Sequence, residues 1–474
     1  LTKYAYLLAG RREGTIRGVH AAEKMARWSS ALQLEDVPTE VVAAAKLHLL
    51  DAVGTGLAAL ALDQLPAARA VAAEIGGEPE ATALGLERRV GPAAAALCNG
   101  SLMHALDFDD THELALVHSS AVVAATVLAL GEARGSAGTD AIAAAVAGYE
   151  IGSRIGLASP GALHLRGFHP TSVCGVFAAA AASARLRGLG PEQTTNALGI
   201  AGSQASGLME FLADGSQTKP LHAGWAAHAG IVAAALAAHG ATGPASVLEG
   251  RFGLLASHLG PGEFDESGLA GELGSRWETT RIAFKAYPSC HCSHAVLDAV
   301  RELGLEAGEA EDLVALVPGE VAVGLVLEPA ERKRRPTTPY DAKFSLPYCI
   351  AALLVRGELG VDSFTPEGIA DERILELAAG VSYEVVEFEG GNDISGGVRA
   401  RVGGRDLEAR VLSPRGGPAN PLSEEELREK FRRNALLALP ADRAERLLDV
   451  LVTLEQYAVA DVPGGFAAAA SLSR

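Results

Sequence analysis

The sequence predicts a mainly helical protein, with a large all-helical domain followed by a smaller α+β domain, on three observations. Alanine and leucine carry most of an apolar content of 49%, while aromatics reach only 5%. That bias favours closely packed helices, because alanine has the best helix propensity and lets backbones approach. Helical periodicity then runs almost unbroken from about Ala21 to His258. After Gly260 the texture changes to Val-rich alternation bounded by Gly and Pro, the pattern of strands. A chain of 474 residues is too long for one ordinary core, so that change reads as a domain boundary. The expected division is 21–265 for the helical domain, 275–415 for the α+β domain, and 420–460 for C-terminal helices that pack back on the helical domain.

Residues 1–20 read as a leader without defined structure; no Met opens it, and its apolar run at 5–9 is too short for a signal-peptide core. The first clear helix spans 37–60, with Pro38 near its start. Val42, Leu49, Leu50, Val53, Leu57 and Leu60 fall on one stripe of it. Further helices are expected at 92–106, 119–134, 138–155, 171–187, 191–206, 222–239 and 243–257. Short joints separate them, as in Arg187-Gly-Leu-Gly-Pro191, where Gly ends one helix and Pro opens the next. In the second domain, strands are expected at 279–287, 313–327, 381–388, 398–402 and 407–412, interleaved with helices at 291–304, 343–356 and 365–378. Residues 422–452 return to helix behind the capping sequence Ser423-Glu-Glu-Glu.

A formal charge of -18 repels phosphate backbones, so nucleic acid is excluded as a partner. An anionic substrate would need a local cluster of Lys, Arg or His set against that field. Five cysteines, an odd number in a long chain, read as reduced thiols of a cytoplasmic protein rather than a disulfide framework. Gly, His and charged residues interrupt the Ala-rich stretches, so no run is expected to span a membrane.

Five segments could carry chemistry. Met103-His-Ala-Leu-Asp-Phe-Asp-Asp-Thr-His112, followed by His118-Ser-Ser, crowds three aspartates with three imidazoles, and neighbouring carboxylates suit acid/base work. It is no zincin helix, since His112-Glu113 lacks a second His four residues on. In Arg166-Gly-Phe-His-Pro-Thr-Ser172, a loop holds His169 at a helix start, where anions are favoured. The third segment, Gly215-Ser-Gln-Thr-Lys219-Pro, places a lysine between Ala-rich helices, where it could neutralise a carboxylate or an enolate-like transition state. His222 and His228 beyond it read as packing residues. Lys285-Ala-Tyr-Pro-Ser-Cys-His-Cys-Ser-His294 offers two histidines without the spacing of a zinc site, so no metal is assigned. The fifth, Pro339-Tyr-Asp-Ala-Lys-Phe-Ser-Leu-Pro-Tyr348, puts a phenol at a helix start. Gly54-Thr-Gly lies within a helical pattern rather than after a strand, so it is no dinucleotide fingerprint.

In this order the five segments resemble the MmgE/PrpD family, which includes 2-methylcitrate dehydratases, cis-aconitate decarboxylases and iminodisuccinate epimerases. The resemblance covers about 21–452. It implies a homodimer, no cofactor, and a pocket between the two domains for a small polycarboxylate. The site residues it implies are Asp107, His118, His169, Lys219, one of His291 or His294, and Tyr348. Lys219, Lys285 and His112 would contact substrate; the family's His-Pro-Ser stands here as His118-Ser-Ser, which keeps His112 a competitor of His118. The expected chemistry is metal-free abstraction of a proton beside a carboxylate. Asp107 or a neutral histidine would be the base, and another histidine or Tyr348 the acid. Dehydration of a 2-methylcitrate-like acid is the first expectation, with epimerisation or cis-aconitate-type decarboxylation as alternatives. A metabolite-binding protein without turnover is the rival of another class.

Overall fold

The computed structural model describes residues 19–462, so the expected leader lies outside the described residues except for its last two. Helices α1 (Ala21–Ala31), α2 (Thr39–Ala61), α3 (Pro66–Ile75), α4 (Pro92–Ala105), α5 (Ser119–Arg134), α6 (Gly138–Leu157), α7 (Pro170–Leu186), α8 (Pro191–Gly202) and α9 (Thr218–Ala238) build the bundle. Proline opens α3, α4, α7 and α8, where its missing N–H would have had no intrahelical partner. Small residues let these helices meet almost backbone to backbone. A Cβ on Gly100 of α4 would lie 2.9 Å from Gly224 Cα of α9, and a Cβ on Gly224 would lie 2.1 Å from the Leu97 carbonyl oxygen.

In the second domain α10 (His294–Leu303) precedes strand β3 (Ala310–Val317), with β1 and β2 being a short pair described below. Then follow α11 (Leu346–Arg356), α12 (Glu372–Gly380), β4 (Val381–Val385), β5 (Gly396–Val402) and β6 (Arg405–Val411). The sheet order is β4-β3-β5-β6, with β3 parallel to β4 and antiparallel to β5. Val296 and Leu297 of α10 join Leu313, Ala315 and Val398 in the core beneath it.

Two connections tie the parts together. Thr111–His112 (β1) pairs antiparallel with Ile282–Ala283 (β2), clipping a loop of the bundle to the start of the second domain. Helices α13 (Glu424–Ala435) and α14 (Ala441–Val452) follow the sheet, and α13 lies on α2. Lys430 Nζ is 2.7 Å from Asp51 Oδ1, and the Phe431 ring rests on Gly54. The capping box expected at Ser423 forms with Glu426.

Several expected elements are shorter or divided. The run 313–327 is strand only to Val317, because Pro318-Gly319 ends pairing and a helical turn follows. Of 279–287, only the two residues of β2 pair. Residues 243–257 are mostly turns before a short helix at Leu254–Leu259. Asp371 caps a new helix inside 365–378, and Pro440 divides 422–452. Contrary to the expectation from composition, α2 and α9 are long and apolar enough to cross a membrane. Most of each lies buried inside the bundle, and buried polar residues such as His48 and Asp51 of α2 and Lys219 of α9 face its interior.

Candidate active site

Asp107 is the hub. It follows the end of α4 with φ +51°, a left-handed conformation that Asp tolerates better than most residues. Its Oδ1 accepts from Lys219 Nζ at 2.7 Å and from Lys285 Nζ at 2.9 Å. Lys285 Nζ also donates to the Asp107 carbonyl at 3.0 Å. Lys219 stands in the first turn of α9 and Lys285 two residues beyond β2, so three distant segments converge on one buried oxygen. Burial by itself would raise the Asp107 pKa. The charges of Lys219 and Lys285 outweigh it and hold the carboxyl well below the usual carboxylate range. A carboxylate held so low is a weak base, so its chemistry suits fixing two lysines better than taking a proton.

Histidines surround this triad. His118, at the start of α5, has Nδ1 2.8 Å from the Asp110 carbonyl and 2.9 Å from Thr111 Oγ1. A carbonyl only accepts, so Nδ1 carries the proton and Nε2 is left as an acceptor. Burial, aided by the charges of Lys285 and Lys219, keeps the His118 pKa well below the ordinary value. His169 stands at the N-cap position of α7 and meets His222 of α9, Nδ1 to Nδ1, at 3.0 Å. Burial lowers His169 strongly and pushes His222 down to about 4. These imidazoles are therefore neutral at neutral pH. They can take a proton or share a hydrogen bond, while the lysines supply the positive charge.

A cavity of about 230 Å³ opens over this group. The bundle contributes Asp107, His118, His169 and Lys219 to its wall. The second domain contributes Cys290, His291, Leu325 and Ile394, so both domains are needed to close it. His291 lines the cavity with both ring nitrogens lacking a hydrogen-bond partner among the described residues, and burial pushes its pKa down to about 3. Glu113 Oε1 faces it at 4.0 Å, and burial raises that carboxyl's pKa. An uncharged imidazole beside a carboxyl biased toward its protonated form is a competent proton-handling pair.

Three expected residues stand outside the cavity wall. His112 Nε2 is 3.1 Å from Glu278 Oε2, and its Nδ1 accepts from the Ala115 amide. That ring braces the β1–β2 clip and does not line the cavity. His294 sits behind His291, with Nε2 3.3 Å from the Ser289 carbonyl. Tyr348 is fully buried, donates its hydroxyl to the Ser363 carbonyl at 2.5 Å and does not line this cavity. Asp107, His118, His169, Lys219, Lys285 and His291 are brought together.

From sequence, His104, His164 and Lys430 receive no site role. His104 of α4 lies beneath the site, its Nδ1 2.7 Å from Asp109 Oδ2, and His164 lines the cavity. The alternation of His and Asp in the first motif was the available signal for His104. Lys430 donates to the carbonyls of Phe108 at 2.8 Å and Lys285 at 3.0 Å, bracing the backs of two site loops from the C-terminal helix. No local pattern marks it, because its partners lie more than a hundred residues away.

A helical bundle whose buried lysines and neutral histidines face a cavity closed by a second domain is the architecture of an enzyme for a small anionic substrate. The chain belongs to the MmgE/PrpD family: the family's N-terminal domain matches residues 23–267 and its C-terminal domain residues 287–456. It is 30% identical to the cis-aconitate decarboxylase-like protein oryM of Aspergillus oryzae, over 94% of this chain and 96% of that protein. Identity is 29% to the cis-aconitate decarboxylase of Aspergillus terreus, covering 91% and 93%. It is 30% to that of Homo sapiens, covering 91% of each. Family and relatives together support an enzyme of the lyase class.

Proposed function

We propose that this chain is a cofactor-independent lyase of a small polycarboxylic acid, and that its reaction is the decarboxylation of cis-aconitate or a close analogue. The observation that carries the reading is the pair Lys219 and Lys285, fixed by Asp107 beside neutral His118, His169 and His291 in one cavity. Two cationic side chains in a low-dielectric site match a substrate with more than one carboxylate. Decarboxylation breaks a C–C bond to one carboxylate and releases carbon dioxide. The electron pair left behind is stabilised by the lysines, and a proton is then delivered to carbon. His118, His169 and His291 line the space where that proton would be handled. The names of the relatives favour this reaction over dehydration of 2-methylcitrate, the first expectation from sequence. Assembly as a homodimer belongs to the same proposal, and light scattering on the purified chain tests it.

Proton NMR in deuterated water tests the chemistry, with cis-aconitate, 2-methylcitrate, citrate and iminodisuccinate offered separately. Loss of carbon dioxide from cis-aconitate with deuterium entering the product supports the proposal. Loss of water from 2-methylcitrate, or exchange without net change in iminodisuccinate, would replace decarboxylation with dehydration or epimerisation. No turnover of any of the four would favour a metabolite-binding protein.

A further inference from the structure

We propose that His104, His118 and His169 form a binding site for one divalent transition-metal ion of the zinc or cobalt class. One ring nitrogen from each lies within 4.8 Å of the other two, and all three residues are buried. Each ring already uses Nδ1: His104 with Asp109, His118 with the Asp110 carbonyl, and His169 with His222. His104 and His118, each anchored through Nδ1 to a carboxylate or a carbonyl, have the usual form of a metal-binding imidazole, because the anchor fixes ring direction, while His169 is held by the His222 ring. His104 Nε2, the nitrogen left over, is completely buried and has no hydrogen-bond partner among the described residues.

What such a cluster can hold follows from its donors. With Nδ1 as the donor, as in His118, the other ring nitrogen accepts and does not donate, so a substrate carboxylate finds no partner in it. A water molecule can donate to two of the three, whereas a metal ion satisfies all of them. Imidazole is a good ligand for zinc and its neighbours. Tetrahedral zinc with N ligands at about 2.0–2.1 Å places them about 3.3 Å apart, so the nitrogens would close in by up to about 1.5 Å. Charge does not forbid the ion, because the carboxylates of Asp107 and Asp109 offset Lys219 and Lys285. His118 and His169 line the cavity, leaving the fourth coordination position open to it.

An ion there would occupy His118 and His169, two of the three imidazoles that the proposed lyase chemistry assigns to proton handling. It would therefore act as an inhibitor rather than a cofactor, and this consequence alone rests on the functional reading above. Binding itself is read without any turnover. Cobalt(II) is titrated into the full-length, chelator-treated protein and followed by visible absorption and by metal content after gel filtration. One ion per chain with a ligand-field band is expected, with affinity falling at least about tenfold in His104→Gln and in His169→Gln. His228→Gln, on the far part of α9, serves as a control and should bind as the parent does. The proposal is overturned if no band develops, or if folded His169→Gln binds cobalt as tightly as the parent. Circular dichroism establishes folding, and should His104→Gln not fold, His169→Gln alone decides.

Discussion

At the scale of the residue, the site depends on one carboxylate holding two lysines. Removing charge from Asp107 leaves Lys219 and Lys285 buried without their counter-ion, so Asp107→Asn should cost about 3–5 kcal/mol of stability, measured by urea unfolding. Lys219→Ala leaves Asp107 paired with Lys285 and should fold. Its kcat/KM on the accepted substrate should fall by about 10²–10³-fold, the scale for losing one preorganised electrostatic donor. A loss below tenfold would remove Lys219 from the chemistry. Tyr348→Phe separates the expectation from sequence and the role found in the structure. With its hydroxyl committed to the Ser363 carbonyl, the change should read in unfolding free energy, at about 1–3 kcal/mol for the acceptor left unsatisfied. The residue types of the site were legible from its motifs. Which of two nearby histidines faces the cavity was not, since His291 and His294 differ only in how a turn and the first turn of α10 direct them.

At the scale of the element, α4 and α9 carry Asp107 and Lys219 toward each other. Their crossing is close because Gly100 and Gly224 present no side chains to it. A methyl group at Gly224 would overlap the Leu97 carbonyl and push α9 away from α4. Gly224→Ala should therefore lose about 1–3 kcal/mol or more from overpacking. It should also lower activity, because Lys219 lies on the same helix five residues upstream. Stability lost without any change in the activity of the folded fraction would show that the helix spacing does not set the lysine. Long periodic helices were readable because alanine-rich segments repeat one pattern over many turns. Strand limits were not, as the short β1–β2 pair exists only through a partner some 170 residues distant.

At the scale of the whole molecule, burying neutral histidines links stability to pH. His291 titrates at about 3 and His222 at about 4 in the folded protein, against an ordinary value of 6.5, and burial also lowers His118, His169 and His294. Below pH 6.5 the unfolded chain therefore binds protons that the folded chain refuses. Stability is fully present above that pH and is lost as pH falls toward 4 and 3. Asp51, pushed up to about 6 by burial, acts in the opposite direction between about 4 and 6, as do the carboxyls of Glu113, Glu150 and Asp298 that burial also raises, against six histidines once His164 is included. The urea midpoint should fall from pH 6.5 to 4, and His291→Gln should flatten that fall; a midpoint unchanged over this range would contradict the neutral, buried state of these rings.

Local sequence by itself determined the helix-forming stretches, the change of texture near residue 260, and the residue types that carry charge and protons. Those depend on periodicity, capping and propensity, which act over a few turns of chain. Tertiary structure alone decided that Lys219 and Lys285 share Asp107, that His112, His294 and Tyr348 lie outside the cavity, and that Lys430 braces its loops. Each of those outcomes is a contact between segments far apart in the chain. Long-range packing chooses which of several similar side chains is buried and what it touches, and no short stretch of sequence contains that choice.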